Sequence, residues 1–241
     1  MLDPERRRRL AENLARVREQ IGAAAQAGGR AAEEVRLVAA TKYAPLADVE
    51  ALVAAGCLDL AESRPQDFWE RVAALHDPRI RWHFIGHLQR NKIERTIPHV
   101  QLLHSGDSVR LLQAIDQAAA ALHAPLRLLL EVKISADPAK HGFTADELEA
   151  ALPQLAELKR IQICGLMGMA SRAGGSVQAR RDFAQLRGCR DRLRAAAPEL
   201  SDWKELSMGM SGDFVEAVAE GATLVRIGSA LFEGLDRDIS P

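Results

Sequence analysis

The sequence predicts a single (β/α)8 barrel of the TIM type with an extra N-terminal helix, and three observations support that fold class. After Gly28-Gly29, eight short apolar or β-branched runs alternate with longer helical stretches, as in repeated βα units. Eight such units in about 210 residues match the size of this barrel, whereas an open doubly wound sheet of that length usually has fewer strands. No proline- or serine-rich linker divides the chain, so we expect residues 1–241 to form one domain.

Residues 1–28 are predicted to form a helix that packs on the barrel. Asp3 is placed to cap it and Pro4 to occupy its first turn, and apolar residues then recur at helical spacing: Leu10, Leu14, Val17 and Ile21. The arginines at 6–9 are also a feature of targeting peptides. Because no apolar segment follows them and acidic residues interrupt them, we favour the helix.

The eight predicted strands follow in order along the chain. They are Val35–Lys42, Leu58–Ser63, Arg81–Gly86, Val100–Ser105, Leu126–Ile134, Ile161–Ala170, Glu205–Met210 and Thr223–Gly228. Helix signals lie between them, including the capping box Thr144–Glu147, a segment led by Asp107, and the arginine-rich stretch Val177–Ala197.

Charge and cysteine content narrow the classes of function. The net charge of −1, from 32 basic and 33 acidic residues, gives no general attraction to nucleic acid or to an anionic membrane. No apolar run approaches the roughly 18 residues that span a bilayer. Cys57, Cys164 and Cys189 lack metal-type spacing and are predicted to be reduced and mostly buried, so we expect a soluble, cytoplasmic protein.

The loops after strands seven and eight have the composition of a phosphate site. In a barrel, functional groups gather at the C-terminal strand ends, and these two loops are the usual place for a phosphate. Each serine or glycine here can also be explained as a helix cap or a turn residue. Their combination favours phosphate, and the candidate residues are Ser207, Ser211, Gly228 and Ser229, with Arg226 supplying positive charge.

Lys42 is the candidate covalent anchor. Counting back by two, it shares a strand face with Ala40 and Val38, which predicts that it projects over the open mouth of the barrel. A partly desolvated lysine near Arg226 would attack an aldehyde readily. A Schiff-base lysine facing a phosphate site is what pyridoxal phosphate requires.

Histidines and methionines near the same strand ends are weaker candidates. His83 and His87 are four residues apart, as in some metal sites, but no carboxylate or thiol accompanies them at suitable spacing, so we expect no metal. His83 is expected to lie beside a cofactor ring or to pack in the core. Met167 is expected beside the ring or in the core, as are Met169, Met208 and Met210.

Together these residues resemble the pyridoxal phosphate homeostasis protein family, over about 35–234. The motifs are Val38–Lys42, Glu62–Gln66, Trp82–Lys92, Ala139–Gly142, Gly165–Met167, Leu206–Ser211 and Val225–Ser229. The resemblance implies an alanine-racemase-type barrel with pyridoxal phosphate held on Lys42 as a Schiff base, the phosphate among Ser207, Ser211, Gly228 and Ser229, and Arg226 beside it. Two positions depart from the family pattern. Ala61-Glu62-Ser63 replaces Gly-Glu-Asn, which puts Ser63 in doubt as a ligand, and Lys133 replaces a frequent Asn.

The resemblance favours a carrier or buffer of the cofactor, with apo pyridoxal enzymes as recipients, over a catalyst. The main alternative is an amino-acid racemase or decarboxylase, which needs a second proton carrier; Tyr43 is the one tyrosine, and strand alternation predicts that it faces away. About a dozen residues follow Ser229, too few for a second domain. A third alternative is an isomerase or aldolase that uses Lys42 directly, but no clear acid partner accompanies it. We expect a monomer or weak dimer.

Overall fold

Eight parallel strands close into a barrel in the computed structural model, which describes residues 2–135, 141–171, 173–200 and 203–235. The strands are β1 (Arg36–Ala40), β2 (Asp59–Glu62), β3 (Arg81–Phe84), β4 (Leu102–Gly106), β5 (Leu126–Val132), β6 (Ile161–Gly168), β7 (Glu205–Ser207) and β8 (Leu224–Ile227). Each pairs with the next, and β8 pairs with β1. The predicted fold class is therefore confirmed, and most predicted strands run only a few residues beyond the observed ones, into the loops at the barrel mouth.

The helices cover the outside of the barrel. They are α1 (Pro4–Ala27), α2 (Leu46–Ala54), α3 (Pro65–Ala74), α4 (Ile93–Thr96), α5 (Val109–Ala118), α6 (Ala145–Ala156), α7 (Gly175–Ala196) and α8 (Phe214–Ala219). Through Leu235, the last residue described, β8 is followed only by the 3-10 turn Ser229–Phe232. Helix α1 packs against α2, α8 and this turn. It therefore fills the place that a long helix after β8 would occupy.

Local capping signals decide where several helices begin. Asp3 accepts a hydrogen bond from the Arg6 N–H, and Thr144 forms the predicted reciprocal box with Glu147. The prediction for α5 was one residue early: its cap is Ser108, whose hydroxyl accepts from the Leu111 N–H at 3.3 Å, rather than Asp107. Asp107 is thereby left at the mouth of the barrel.

Strand alternation divides the buried residues into two regions. A large apolar layer lies between strands and helices, and a smaller cluster fills the barrel interior: Val38, Ala61, Leu102, Leu129, Cys164, Met167 and Leu224. The three cysteines are buried and unbridged, as predicted. No described helix is both long and apolar enough to cross a membrane.

Candidate functional site

A cavity of about 420 Å³ opens at the C-terminal ends of the strands. Its volume is within the usual range for small-molecule sites. Seven of the nine predicted site residues line it: Lys42, Ser63, Met167, Ser211, Arg226, Gly228 and Ser229. Apolar side chains of Ile85, Met169 and Met210 complete much of the wall.

Lys42 reaches this cavity from the loop after β1. The strand ends at Ala40, which also lines the cavity, so the predicted direction of the lysine is consistent with the structure. Its side chain is exposed, with Nζ 5.9 Å from the centre of the Tyr43 ring. The lysine is exposed because it extends beyond the end of the strand, into the open mouth.

Tyr43 lies on the cavity wall and does not face away as predicted. Its backbone has a φ of 67°, in the left-handed region, so strand alternation no longer applies at this residue. The Arg64 guanidinium donates a hydrogen bond to Tyr43 Oη at 3.2 Å. The structure thus places the tyrosine beside Lys42.

Ser211 joins the loops that follow β7 and β8. Its Oγ accepts hydrogen bonds from the N–H groups of Gly228 and Ala230, both at 3.2 Å. The Gly228 N–H therefore already has a protein acceptor. The two loops form one wall of the cavity, held together by this serine.

Arg226 forms part of the cavity floor. The side chain is buried, and its guanidinium donates to the Ser207 carbonyl at 2.8 Å, to Ser207 Oγ at 2.6 Å and to the Gly168 carbonyl at 3.1 Å. Burial lowers its pKa to about 10, against the opposing effect of Glu131 and Asp213. Arg226 therefore remains charged at neutral pH, with its orientation determined by strands β6 and β7.

Ser207 and His83 lie below the cavity and are not among its lining residues. Ser207 Oγ is 2.8 Å from His104 Nδ1, His104 Nε2 is 2.9 Å from His83 Nδ1, and His83 Nε2 is 3.1 Å from Asp59 Oδ1. All four side chains are buried. A continuous hydrogen-bonded chain thus crosses the barrel interior from Asp59 to the floor at Arg226.

The charge on Asp59 and the burial of the two histidines determine which groups of this hydrogen-bonded series carry protons. Although burial opposes it, hydrogen bonds from Arg81 and His83 hold the pKa of Asp59 well below its ordinary value, so Asp59 accepts from His83 as a carboxylate. Burial lowers the pKa of His83 and, more strongly, of His104, so both rings are neutral. His83 Nδ1 must then accept from His104, and His104 Nδ1 must accept from the Ser207 hydroxyl.

The cavity wall also contains an ion pair that the sequence did not reveal. Arg6 of α1 donates from Nε and Nη2 to the two carboxylate oxygens of buried Asp48, at 2.7 and 2.8 Å. The two residues are 42 positions apart, and no local pattern links them. Lys133 borders other hollows on the surface and is not among the residues of this wall. Ala139 and Lys140 of the Ala139–Gly142 motif lie outside the described residues.

Known proteins of this type match almost the whole chain. A family model described as alanine racemase, N-terminal domain, matches residues 7–236. A pyridoxal phosphate homeostasis protein of Synechocystis is 40% identical over 82% of this chain and 90% of its own length. A pyridoxal phosphate homeostasis protein of Pseudomonas aeruginosa is 36% identical over 94% of this chain and 96% of its own length.

A solved structure of a similar protein supports the same family. PipY of Synechococcus elongatus, with pyridoxal phosphate bound, has 36% identity and a TM-score of 0.82 over 92% of this chain and 99% of its own. The chain therefore belongs to the alanine racemase N-terminal domain family, among the pyridoxal phosphate homeostasis proteins.

Proposed function

We propose that this protein binds pyridoxal phosphate covalently on Lys42, within one domain, and carries or buffers it in the cytoplasm for apo pyridoxal enzymes. The observation that carries the proposal is the placement of the Lys42 amine on the wall of a cavity closed by the Ser211 and Gly228 loops and floored by Arg226. The residues present suit the cofactor, since the cavity offers an amine, polar loops and an apolar wall. The names of the relatives and the ligand of PipY support the same ligand here.

Lys42 performs the covalent step. The cofactor, when bound, would supply an aldehyde, and the Lys42 amine would be the nucleophile that holds it covalently, with water as the group released. Because Lys42 is exposed at the mouth, water or the amine of another protein can reverse the step. A reversible attachment is what a carrier needs.

Arg226 is better placed to contact the ring than the phosphate. Its guanidinium is turned into the barrel interior by Ser207 and Gly168, whereas Ser211, Gly228 and Ser229 belong to the loops. We therefore assign the phosphate to those loops and the floor contact to Arg226. This revises the expectation that Arg226 lies beside the phosphate.

The wall offers few groups for proton transfer. Of the titratable residues described there, Asp48 is paired with Arg6 and Arg226 is bonded to Ser207 and Gly168, which leaves Lys42 and Tyr43. Catalysis at the α-carbon of an amino acid needs a positioned acid or base, commonly worth about 10²–10⁴-fold in rate. The scarcity of such groups supports a carrier.

The placement of Tyr43 supports a second candidate function, amino-acid racemisation. Tyr43 lines the cavity with its ring centre 5.9 Å from Lys42 Nζ, so it is the one residue of the described wall that offers a second proton carrier. If racemisation occurs, Tyr43→Phe should abolish it while leaving binding of the cofactor intact. Incubation with L- and D-amino acids tests both functions, and turnover at about 1 s⁻¹ or faster would make the protein an enzyme.

Borohydride reduction tests the anchor. Reduction of the loaded protein should leave label on the Lys42 peptide and remove the absorbance of the Schiff base. Lys42→Ala should abolish this labelling, whereas Lys133→Ala, which alters an exposed lysine outside the cavity wall, should not. Label at Lys133 or Lys140 in the Lys42 variant would refute the assignment, and no absorbance change with the cofactor would favour direct use of Lys42 as in an aldolase.

The division between ring and phosphate can be tested with two ligands. Arg226→Gln removes a charge-assisted contact of about 1.5–3 kcal/mol, so affinity should fall roughly 10- to 150-fold for pyridoxal phosphate and for pyridoxal alike. Ser229→Ala should weaken only the phosphorylated ligand. If Arg226→Gln spares pyridoxal, the guanidinium contacts the phosphate after all.

A further inference from the structure

A second cluster of side chains lies at the barrel mouth, outside the cavity of Lys42. His87 follows β3, Asp107 follows β4 and His141 lies in the loop after β5. Each offers one ligand atom, and these atoms all lie within 4.8 Å of one another. Three consecutive strands thus deliver two imidazoles and a carboxylate to one point on the rim.

The carboxylate of this cluster is held in place. Asp107 is buried, its Oδ1 accepts from the Ser108 hydroxyl at 3.0 Å, and its Oδ2 is 2.7 Å from His87 Nδ1. Ser108 is itself fixed as the cap of α5. Metal-binding carboxylates are typically oriented by hydrogen bonds of this kind.

His141 is positioned by the residues that follow it. The Phe143 N–H donates to the Glu131 carbonyl and the Lys133 N–H donates to the Phe143 carbonyl, both at 2.8 Å, which joins this loop to β5. Gly142 has a φ of 113°, and a Cβ there would lie 2.7 Å from the Glu131 carbonyl oxygen. The loop therefore stays close to the strand, and the His141 ring stacks on His87 with ring centres 4.5 Å apart.

We propose that His87, Asp107 and His141 form a binding site for a divalent transition-metal ion, with Zn²⁺ as the best match. Two nitrogens and one carboxylate oxygen are a typical set of three protein ligands for zinc, with a fourth position left to water. Asp107 also borders a hollow of about 450 Å³, which leaves room for that water. Both histidines are exposed, so their rings have room to turn toward one ion, at the zinc–nitrogen distance of about 2 Å.

This arrangement explains why the sequence did not suggest a metal. The pair considered there, His83 and His87, is separated in the fold, since His83 bonds to Asp59 and His104 in the interior. His87 instead gains a carboxylate 20 residues away.

Zinc titration of the purified protein, against a chromophoric chelator, tests the site. We expect one Zn²⁺ per chain, and His87→Gln and Asp107→Asn should each weaken binding at least about 10-fold, since even loss of a residue that only orients a ligand costs this much. His99→Gln and His123→Gln, at exposed histidines away from the cluster, are matched controls and should bind as the wild type. The exposed position of His87 means that its substitution should leave the fold intact.

Cobalt provides a second measurement on the same variants. Co²⁺ in a four-coordinate site absorbs visible light far more strongly than hexaaqua Co²⁺, and His141→Gln should remove this strong band. Absence of zinc binding by the wild type would overturn the proposal, as would equal losses in the His87 and His123 variants or unchanged binding in all of them.

Discussion

Removal of one buried hydroxyl, that of Ser207, tests whether the hydrogen bonds that cross the barrel interior form one connected series. In Ser207→Ala, His104 Nδ1 loses the donor at 2.8 Å and Arg226 Nη1 loses an acceptor at 2.6 Å, although it keeps the carbonyl of residue 207. A buried acceptor left without a partner costs about 1–3 kcal/mol, and a hydrogen bond to a charged group contributes about 1.5–3 kcal/mol. Because Arg226 keeps part of its bonding, we expect the free energy of unfolding to fall by about 2–4 kcal/mol.

Ser105 offers a matched control for this change. It is 1% exposed, against 0% for Ser207, and its hydroxyl has no hydrogen-bond partner among the described residues. Ser105→Ala deletes the same atom without breaking a bond, so it should leave stability unchanged or slightly raise it. Urea unfolding at pH 7.5, with the midpoint and slope fitted for each protein, measures both changes.

The comparison has a definite failing outcome. If Ser207→Ala and Ser105→Ala change the free energy of unfolding by the same amount, within about 0.5 kcal/mol, then the hydrogen bonds of the Ser207 hydroxyl do not stabilise the fold. The donors and acceptors assigned to the hydrogen bonds from Arg226 to Asp59 would then be wrong.

Two further predictions concern acid stability and the spacing of the mouth. Burial lowers the pKa of His83 and His104 in the folded state, so the unfolded chain binds more protons than the folded chain below about pH 6.5. The free energy of unfolding is therefore highest above that pH. Below it the free energy falls, by up to about 1.4 kcal/mol per histidine at pH 5.5. A urea midpoint that stays constant from pH 7.5 to 5.5 would contradict this. In Gly86→Ala the new Cβ would collide with the Ser63 backbone carbonyl, so thermal unfolding should occur at a lower temperature and cofactor affinity should drop. Gly188→Ala, in α7 with open space around it, should be neutral or stabilising by about 0.5–1 kcal/mol.

The sequence by itself determined the barrel, because its evidence is local. Strand and helix periodicity, the Asp3 and Thr144 caps and the Gly28-Gly29 stop each act over a few residues, and the structure confirms them. The position of Lys42 at the cavity follows from the same logic. Alternation fails one residue later, at Tyr43, because a positive φ cannot be read from strand periodicity.

Only the tertiary structure decided which distant side chains meet. Asp48 and Arg6, His87 and Asp107, and Ser207 and His104 are separated by 42, 20 and 103 residues, and barrel closure brings each pair within hydrogen-bond distance. The side chains of His83 and Ser207 lie in the barrel interior, although their strand ends resemble in sequence the strand ends that line the cavity. The sequence therefore could not distinguish residues below the cavity from residues on its wall. Side-chain direction along a strand follows a period of two residues, whereas depth within the barrel depends on the relative register of eight strands, which is a property of the closed fold.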